Sequence, residues 1–146
     1  MLAGIDVGST GLKVALFSER GQRLHYAYRE YMLSFLDGGR VVIDPNCWWD
    51  CLCSCLKELG SRCDLRQLSG IAISHANAII LADEQLQPVC DAIMQLDKRG
   101  ASMVPIIEKD ISSDEIFRIT GNNNTDGFVW GPTLKWLAVH RPDSYG

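Results

Sequence analysis

Near the start of the chain, Asp6, Gly8, Ser9, Thr10, Gly11 and Lys13 crowd into one short stretch, Gly4-Ile-Asp-Val-Gly-Ser-Thr-Gly-Leu-Lys-Val-Ala-Leu-Phe17. These are the residue types of a phosphate grip. Gly8 and Gly11 let the backbone approach an anion without intervening Cβ atoms, so that turn N–H groups can point at oxygens. Ser9 and Thr10 add hydroxyl donors, and Lys13 supplies positive charge. Asp6 can hold a Mg²⁺ ion or its waters, as phosphoryl transfer needs. The spacing is not that of a Walker A loop, and it does not fit G-x-G-x-x-G. The competing reading is an ordinary hairpin in which Asp6 and Ser9 serve the turn and Lys13 is a solvated strand residue. Against it stands the cost of an acid interrupting an apolar strand.

The elements that must position these residues follow from the hydropathy pattern. Leu2–Val7 reads as a short buried strand, Gly8–Gly11 as a turn and Leu12–Ser18 as the returning arm of a hairpin. After a turn at Arg20-Gly21-Gln22, Arg23–Tyr31 alternates as a third strand. The chain thus opens with a three-stranded antiparallel meander. Phe35–Arg40, with Asp37-Gly38-Gly39, reads as a loop. Asp44-Pro45 then announces a helix, with Asp44 as N-cap and Pro45 at N1. Trp48, Leu52, Cys55, Leu56 and Leu59 recur at helical spacing up to Gly60. Strands are expected at Leu68–Ser74, Ala78–Ala82 and Val89–Gln95. A helix over Asp97–Lys109 should be kinked or broken by Pro105. Ser112 with Glu115 forms a capping box for a helix to Ile119. Gly121–Gly127 is a polar loop, and Pro132–His140 opens a last helix.

The bulk properties set limits on this picture. The 146 residues are 47% hydrophobic and 22% charged, a globular balance with enough chain for one ordinary domain. A formal net charge of -4 offers no global field for nucleic acid or an anionic membrane. No apolar stretch is long enough to span a bilayer, and the N-terminus lacks the pattern of a signal peptide. The expected setting is the cytoplasm, with no nucleic-acid or membrane partner. Six cysteines, five of them between Cys47 and Cys63, lack paired metal-ligand spacing and a neighbouring histidine. They are expected to be reduced, partly buried thiols.

Taken together, the motifs have a family look. Gly4–Phe17 resembles the phosphate-binding hairpin of the sugar kinase, Hsp70 and actin superfamily. Asp44-Pro-Asn-Cys-Trp-Trp49 is similar to the FGGY carbohydrate kinases' entry to a helix with tandem tryptophan. Gly70-Ile-Ala-Ile-Ser74 looks like the strand that follows there. Asp91-Ala-Ile-Met-Gln-Leu-Asp97-Lys-Arg99 lies where the family carries P-A-I-L-W-x-D-x-R. Thr120-Gly121 through Gly127-Phe128, then Pro132–Trp136, resembles its T-G…G-F…P-K-L-x-W stretch. The resemblance covers essentially the whole chain and is strongest to the xylulokinase-like branch.

That resemblance implies a ribonuclease H-like (actin-like ATPase) α/β domain, with a mixed sheet opening on the meander and flanked by helices. It implies ATP and Mg²⁺ as cofactors and phosphorylation of a sugar hydroxyl, on a pentulose such as xylulose or a related sugar or polyol. Asp6 would lie by the magnesium, through water, with Gly8, Ser9, Thr10 and Lys13 around the phosphates. His75, Asn77 and Asp97 would line the sugar pocket. Residues 1–146 would be an incomplete first domain, with the general base beyond residue 146 and a second domain absent, so the fragment itself is expected to be inactive. Its open sheet edge would favour a homodimer. The loop Ser74-His-Ala-Asn-Ala78 departs from the family's usual G-Q-x-H-G, and Gln95 replaces its tryptophan. Both departures leave the sugar open, and the loop, which is not the Q-R-E-T of glycerol kinases either, argues against glycerol. Other readings remain at single residues: Trp48 and Trp49 as core, His75 as a hydrogen-bonded strand end, Asp97 as a helix cap. A non-catalytic nucleotide- or sugar-binding member of the superfamily is the alternative for the whole.

Overall fold

The computed structural model describes residues 1–123 and 130–142. In chain order the strands are β1 (Leu2–Val7), β2 (Gly11–Phe17), β3 (Arg23–Glu30), β4 (Ser34–Leu36) and β5 (Arg40–Ile43). Helix α1 (Asn46–Gly60) follows, then β6 (Gly70–His75), β7 (Ala78–Ile79) and β8 (Ala92–Met94). Helices α2 (Val104–Ile107), α3 (Ser113–Thr120) and α4 (Gly131–His140) complete the described chain. These elements divide into two compact units, Met1–Leu33 with Asp44–Ala76, and Ser34–Ile43 with Asn77–Gly146.

The first unit carries the meander expected from the alternating pattern. Its sheet runs β3-β2-β1-β6, with β1–β2 and β2–β3 antiparallel and β6 parallel to β1. On one face Ala3, Ile5 and Val7 of β1 and Leu12, Val14 and Leu16 of β2 are buried. Helix α1 packs on β2 and β3 and contributes Trp48, Cys55 and Leu59 to this core. Each fully buried aliphatic side chain here stabilises by roughly 1.5–3 kcal/mol. Arg29 of β3 ties the helix down, its Nε donating to Ser54 Oγ at 2.8 Å and its guanidinium pairing with Glu58 at 2.9 Å. Strand β6 lies at the edge of the sheet, and its Ile71 and Ile73 are largely exposed.

The start of α1 shows how the Asp-Pro signal works. The helix begins one residue later than expected, with Pro45 in the cap position. Asp44 nevertheless caps it, because its carboxylate accepts the Asn46 backbone N–H at 2.9 Å. The proline sits where no N–H is needed.

The second unit is a small antiparallel sheet in the order β4-β5-β8-β7. Its core is Val41, Val42 and Ile43 against Ala92, Ile93 and Met94, with Met103 and Leu137 also buried. Several expectations need correction here. The Phe35–Arg40 segment is not a plain loop: it contains β4 and a 3-10 turn at Asp37–Gly39 leading into β5. Gly38 and Gly39 at φ of 74° and 72° make that tight reversal possible. The strands expected at Ala78–Ala82 and Val89–Gln95 shrink to β7 and β8, joined further out by a single bridge, Ala82 to Pro88. Pro105 does not break a helix. The chain runs as 3-10 over Arg99–Met103 and becomes α-helical at Val104, so the proline falls in the first turn of α2, where it is tolerated. The capping box of α3 is half formed. Ser112 Oγ accepts the Glu115 N–H at 3.2 Å, but the Glu115 carboxylate pairs with Arg118 instead of reaching back. The polar loop to Gly127, and with it the Gly127-Phe128 part of the family-like stretch, extends outside the described residues.

Candidate functional site

The Gly8–Gly11 turn is a tight connection between β1 and β2. The strands pair through Val7 and Leu12, and the Gly8 N–H donates to the Gly11 carbonyl at 3.0 Å. Asp6 on β1 and Lys13 on β2 are register partners, so their side chains rise from the same face of the sheet. Lys13 Nζ donates to Asp6 Oδ2 at 2.8 Å, and both side chains are about half exposed, at 47% and 48%. The carboxylate beside it raises the Lys13 pKa, first through the hydrogen bond and then through charge. Lys13 therefore stays a cation at neutral pH. Asp6 Oδ1 takes no partner among the described residues, and neither do the hydroxyls of Ser9 and Thr10, which are exposed. The arrangement brings Asp6, Gly8, Ser9, Thr10 and Lys13 to one place.

The glycines of the turn are needed for space and not for left-handed backbone. Neither Gly8 nor Gly11 has positive φ. A Cβ on Gly11 would come within 2.7 Å of Cζ in the Tyr28 ring, and one on Gly8 within 3.1 Å of the Gly11 carbonyl. Tyr28 thus covers Gly11 on the exposed side, where its hydroxyl reaches the Thr10 carbonyl at 3.4 Å. The open face beyond it is a shallow depression of about 720 Å³. Gly4, Ala15 and Ala72 line it together with Phe17 and Tyr26, and the Asp6–Lys13 pair lies along it.

His75 belongs to the same unit. It ends β6 as the register partner of Val7, directly before the turn. Its ring Nδ1 faces the carbonyl of Ala76, and the ring meets Trp48 edge-on at 4.7 Å between centroids. Trp48 is buried while Trp49 is 67% exposed, so the tandem tryptophans split between core and surface.

Asn77 and Asp97 fall in the second unit. Asn77 is exposed, and its carbonyl accepts the Gln95 N–H at 3.1 Å, at the end where β7 meets β8. Asp97 follows β8 and is only 2% exposed. Its Oδ2 accepts the Val41 N–H at 2.7 Å and Arg99 Nη2 at 2.7 Å. Its Oδ1 accepts the Arg99 N–H at 2.9 Å and Arg99 Nε at 2.8 Å. Arg99 in turn lies over the Trp136 ring at 5.4 Å. The carboxylate is filled by the chain's own donors.

Sequence reasoning missed two residues at the turn, Tyr28 and Tyr31. Both belong to the alternating run of the third strand, where nothing in the pattern separates a tyrosine that touches the turn from one that merely fills a strand. No group of three or more His, Cys, Asp or Glu side chains among the described residues is arranged to hold a metal ion, and the six cysteines are free thiols. No helix among the described residues is long and apolar enough to cross a membrane.

Comparison with known proteins supplies the wider setting. The model of the FGGY family of carbohydrate kinases, N-terminal domain, matches residues 1–146. The chain is 27% identical over 143 residues to a xylulose kinase of Staphylococcus xylosus, covering 97% of this chain and 29% of that protein. It is 30% identical over 141 residues to a xylulose kinase of Klebsiella pneumoniae, covering 96% of this chain and 29% of that protein. The crystal structure of a xylulose kinase from Rhodospirillum rubrum superposes with a TM-score of 0.90 at 26% identity, over 99% of this chain and 30% of the other. The chain therefore spans about three tenths of the length of these relatives.

Proposed function

Because the chain belongs to the FGGY family of carbohydrate kinases and has the sugar-kinase fold, we propose that the protein it forms part of transfers the γ-phosphoryl group of ATP to a sugar hydroxyl. A pentulose such as xylulose is the first substrate to test, with related sugars and polyols after it. The observation that carries this reading is the Asp6–Lys13 pair at the mouth of the turn, beside hydroxyls that no other group engages.

The division of labour follows from the side chains. Lys13 and the hydroxyls of Ser9 and Thr10 bind and orient phosphate oxygens, replacing their hydration with fixed donors. Gly8 and Gly11 keep the backbone bare so that the anion can come close. Asp6, half exposed and with Oδ1 free, suits a hydrated magnesium ion. When bound, that ion supplies neutralisation of charge on the phosphates. An incoming phosphate competes with Asp6 for Lys13, so ligand binding loosens the 2.8 Å pair.

His75 and Asn77, both exposed, are read as sugar contacts. Asp97 is read as acting through Arg99 and Val41, since its lone pairs are occupied. The 146 residues are read as part of the first of two domains, with the general base that takes the sugar proton outside them. On this reading the chain alone does not turn over. It is also read as a cytoplasmic protein, and the exposed Ile71 and Ile73 on β6 suit self-association.

A coupled ADP-release assay on the complete gene product, against ketoses, aldoses and polyols, tests the proposal. Turnover on one pentulose that vanishes in Asp6→Ala supports it. A protein that binds nucleotide or sugar and turns over none of the panel is a non-catalytic member of the superfamily, and the kinase reading falls.

A further inference from the structure

We propose that Tyr31 is a positioning residue for the phosphate turn, gripping the carbonyls of Gly8 and Thr10 so that the N–H group following each is turned away from the core side. Tyr31 follows the last residue of β3 and is 7% exposed. Its hydroxyl donates to the Gly8 carbonyl at 2.5 Å, and its own backbone N–H donates to the Thr10 carbonyl at 3.2 Å. One residue thus holds the turn at both sides of Ser9.

The consequence comes from the planarity of the peptide bond. In a trans peptide the C=O and the following N–H point in opposite directions. Fixing the Gly8 carbonyl toward Tyr31 therefore aims the Ser9 N–H away from it, and fixing the Thr10 carbonyl does the same for the Gly11 N–H. No hydrogen bond among the described residues uses the Ser9 N–H. A turn with free carbonyls could flip these planes and present oxygens to an anion, which would repel it. The phenol, on a side chain that is itself 7% exposed, removes that option through a bond that is partly buried.

The surroundings of the phenol support the assignment. Burial is the main reason its pKa is pushed up to about 12, so it remains a donor across the physiological range. The Trp48 indole N–H approaches the phenol oxygen and pulls the other way, although it is buried and closes no full hydrogen bond. Helix α1 therefore backs the tyrosine that backs the turn. Tyr28 offers an internal control. It touches the same Thr10 carbonyl, but from the exposed side and at 3.4 Å.

The functional half of this inference rests on the reading of the turn as a phosphate site; the structural half does not. Tyr31→Phe and Tyr28→Phe are made in the complete gene product. Amide hydrogen exchange is followed across the turn, and KM is measured separately for ATP and for the sugar. In Tyr31→Phe, exchange in the turn rises roughly three- to tenfold, as expected for one lost buried hydrogen bond. KM for ATP rises by a similar factor while KM for the sugar stays put, and Tyr28→Phe changes neither. Unchanged exchange in Tyr31→Phe overturns the grip. Raised exchange with an unaltered KM for ATP, or a loss of thermal stability alone, reduces Tyr31 to a core residue and overturns the positioning role. A parent protein that binds no nucleotide sinks the phosphate reading and the functional half with it, while the exchange data still decide whether Tyr31 holds the turn.

Discussion

Asp6 and Asp97 are carboxylates that each stand at or just beyond the end of a strand, and both were candidates for contact with a ligand. Their surroundings are opposite. Asp6 is about half exposed, with one partner, Lys13, and a free oxygen. Asp97 is 2% exposed and accepts four hydrogen bonds, three of them from Arg99 and one from Val41. A carboxylate with spare lone pairs at a surface can exchange its partner for a metal water or yield its lysine to a phosphate. One whose lone pairs are filled in the core can do neither without breaking the fold around it. On the function proposed above, the difference separates a group held ready for a ligand from one whose lone pairs are taken up by its own chain.

The sharpest way to break that distinction is Asp97→Ala. Removing one member of a buried, hydrogen-bonded pair leaves Arg99 and the Val41 N–H without acceptors, a loss of about 3–5 kcal/mol. Chemical denaturation should show a large fall in stability of the second unit. A variant as stable as the parent, but with a raised KM for the sugar, would show that Asp97 faces the ligand and that its hydrogen bonds are incidental.

Asp6→Ala should behave in the reverse way. A solvent-exposed ion pair contributes little to stability, so the thermal midpoint should not move measurably. Turnover should drop by about a hundredfold to a thousandfold, the range seen when one group stabilising transferred charge is removed. If the midpoint fell while turnover survived, Asp6 would be a structural member of the hairpin and the comparison with Asp97 would collapse.

How far the sequence foretold all this differs between the two units. The meander, the capped helix over Asn46–Gly60 and the strand beside β1 were legible because strong alternation, an Asp-Pro start and a glycine stop agree with one another locally. The Asp6-to-Lys13 turn was legible because its residue types are few and close together. Strand β5 was not, although Val41-Val42-Ile43 are β-branched. It is four residues long and directly follows Gly38-Gly39, so the loop signal masked it. The strands around Ala78 and Ala92 were overdrawn because apolar runs there extend further than their pairing does. Pro105 was misread because the chain enters α2 from a 3-10 turn that no periodicity announces. For Asp97 the sequence offered both a sugar contact and a cap, and only its burial beside Arg99 shows which donors fill it. Tyr31 was invisible because its role depends on a carbonyl more than twenty positions away in the chain.

The smallest expected effect concerns the turn beside Asp6 and tests whether its backing is as dry as the surroundings of Asp97. With the Tyr31 hydroxyl raised from 10.0 to about 12 by burial, the folded protein resists losing that proton while the unfolded chain gives it up at the ordinary value. The stability this confers is fully present below pH 10 and is lost as pH rises from 10 toward 12. It amounts to roughly 3 kcal/mol at most, because the rise is about two pKa units and each unit corresponds to about 1.4 kcal/mol. An ultraviolet titration of phenolate should therefore show one tyrosine ionising at about pH 12 in the parent, absent in Tyr31→Phe, and denaturation midpoints of the two should converge as the pH is raised. If no late phenol appeared, water would reach the Tyr31–Gly8 hydrogen bond. The turn would then be held no more firmly than the exposed contact from Tyr28, and the contrast between a ready site on a rigid backing and a spent one in the core would lose half its basis.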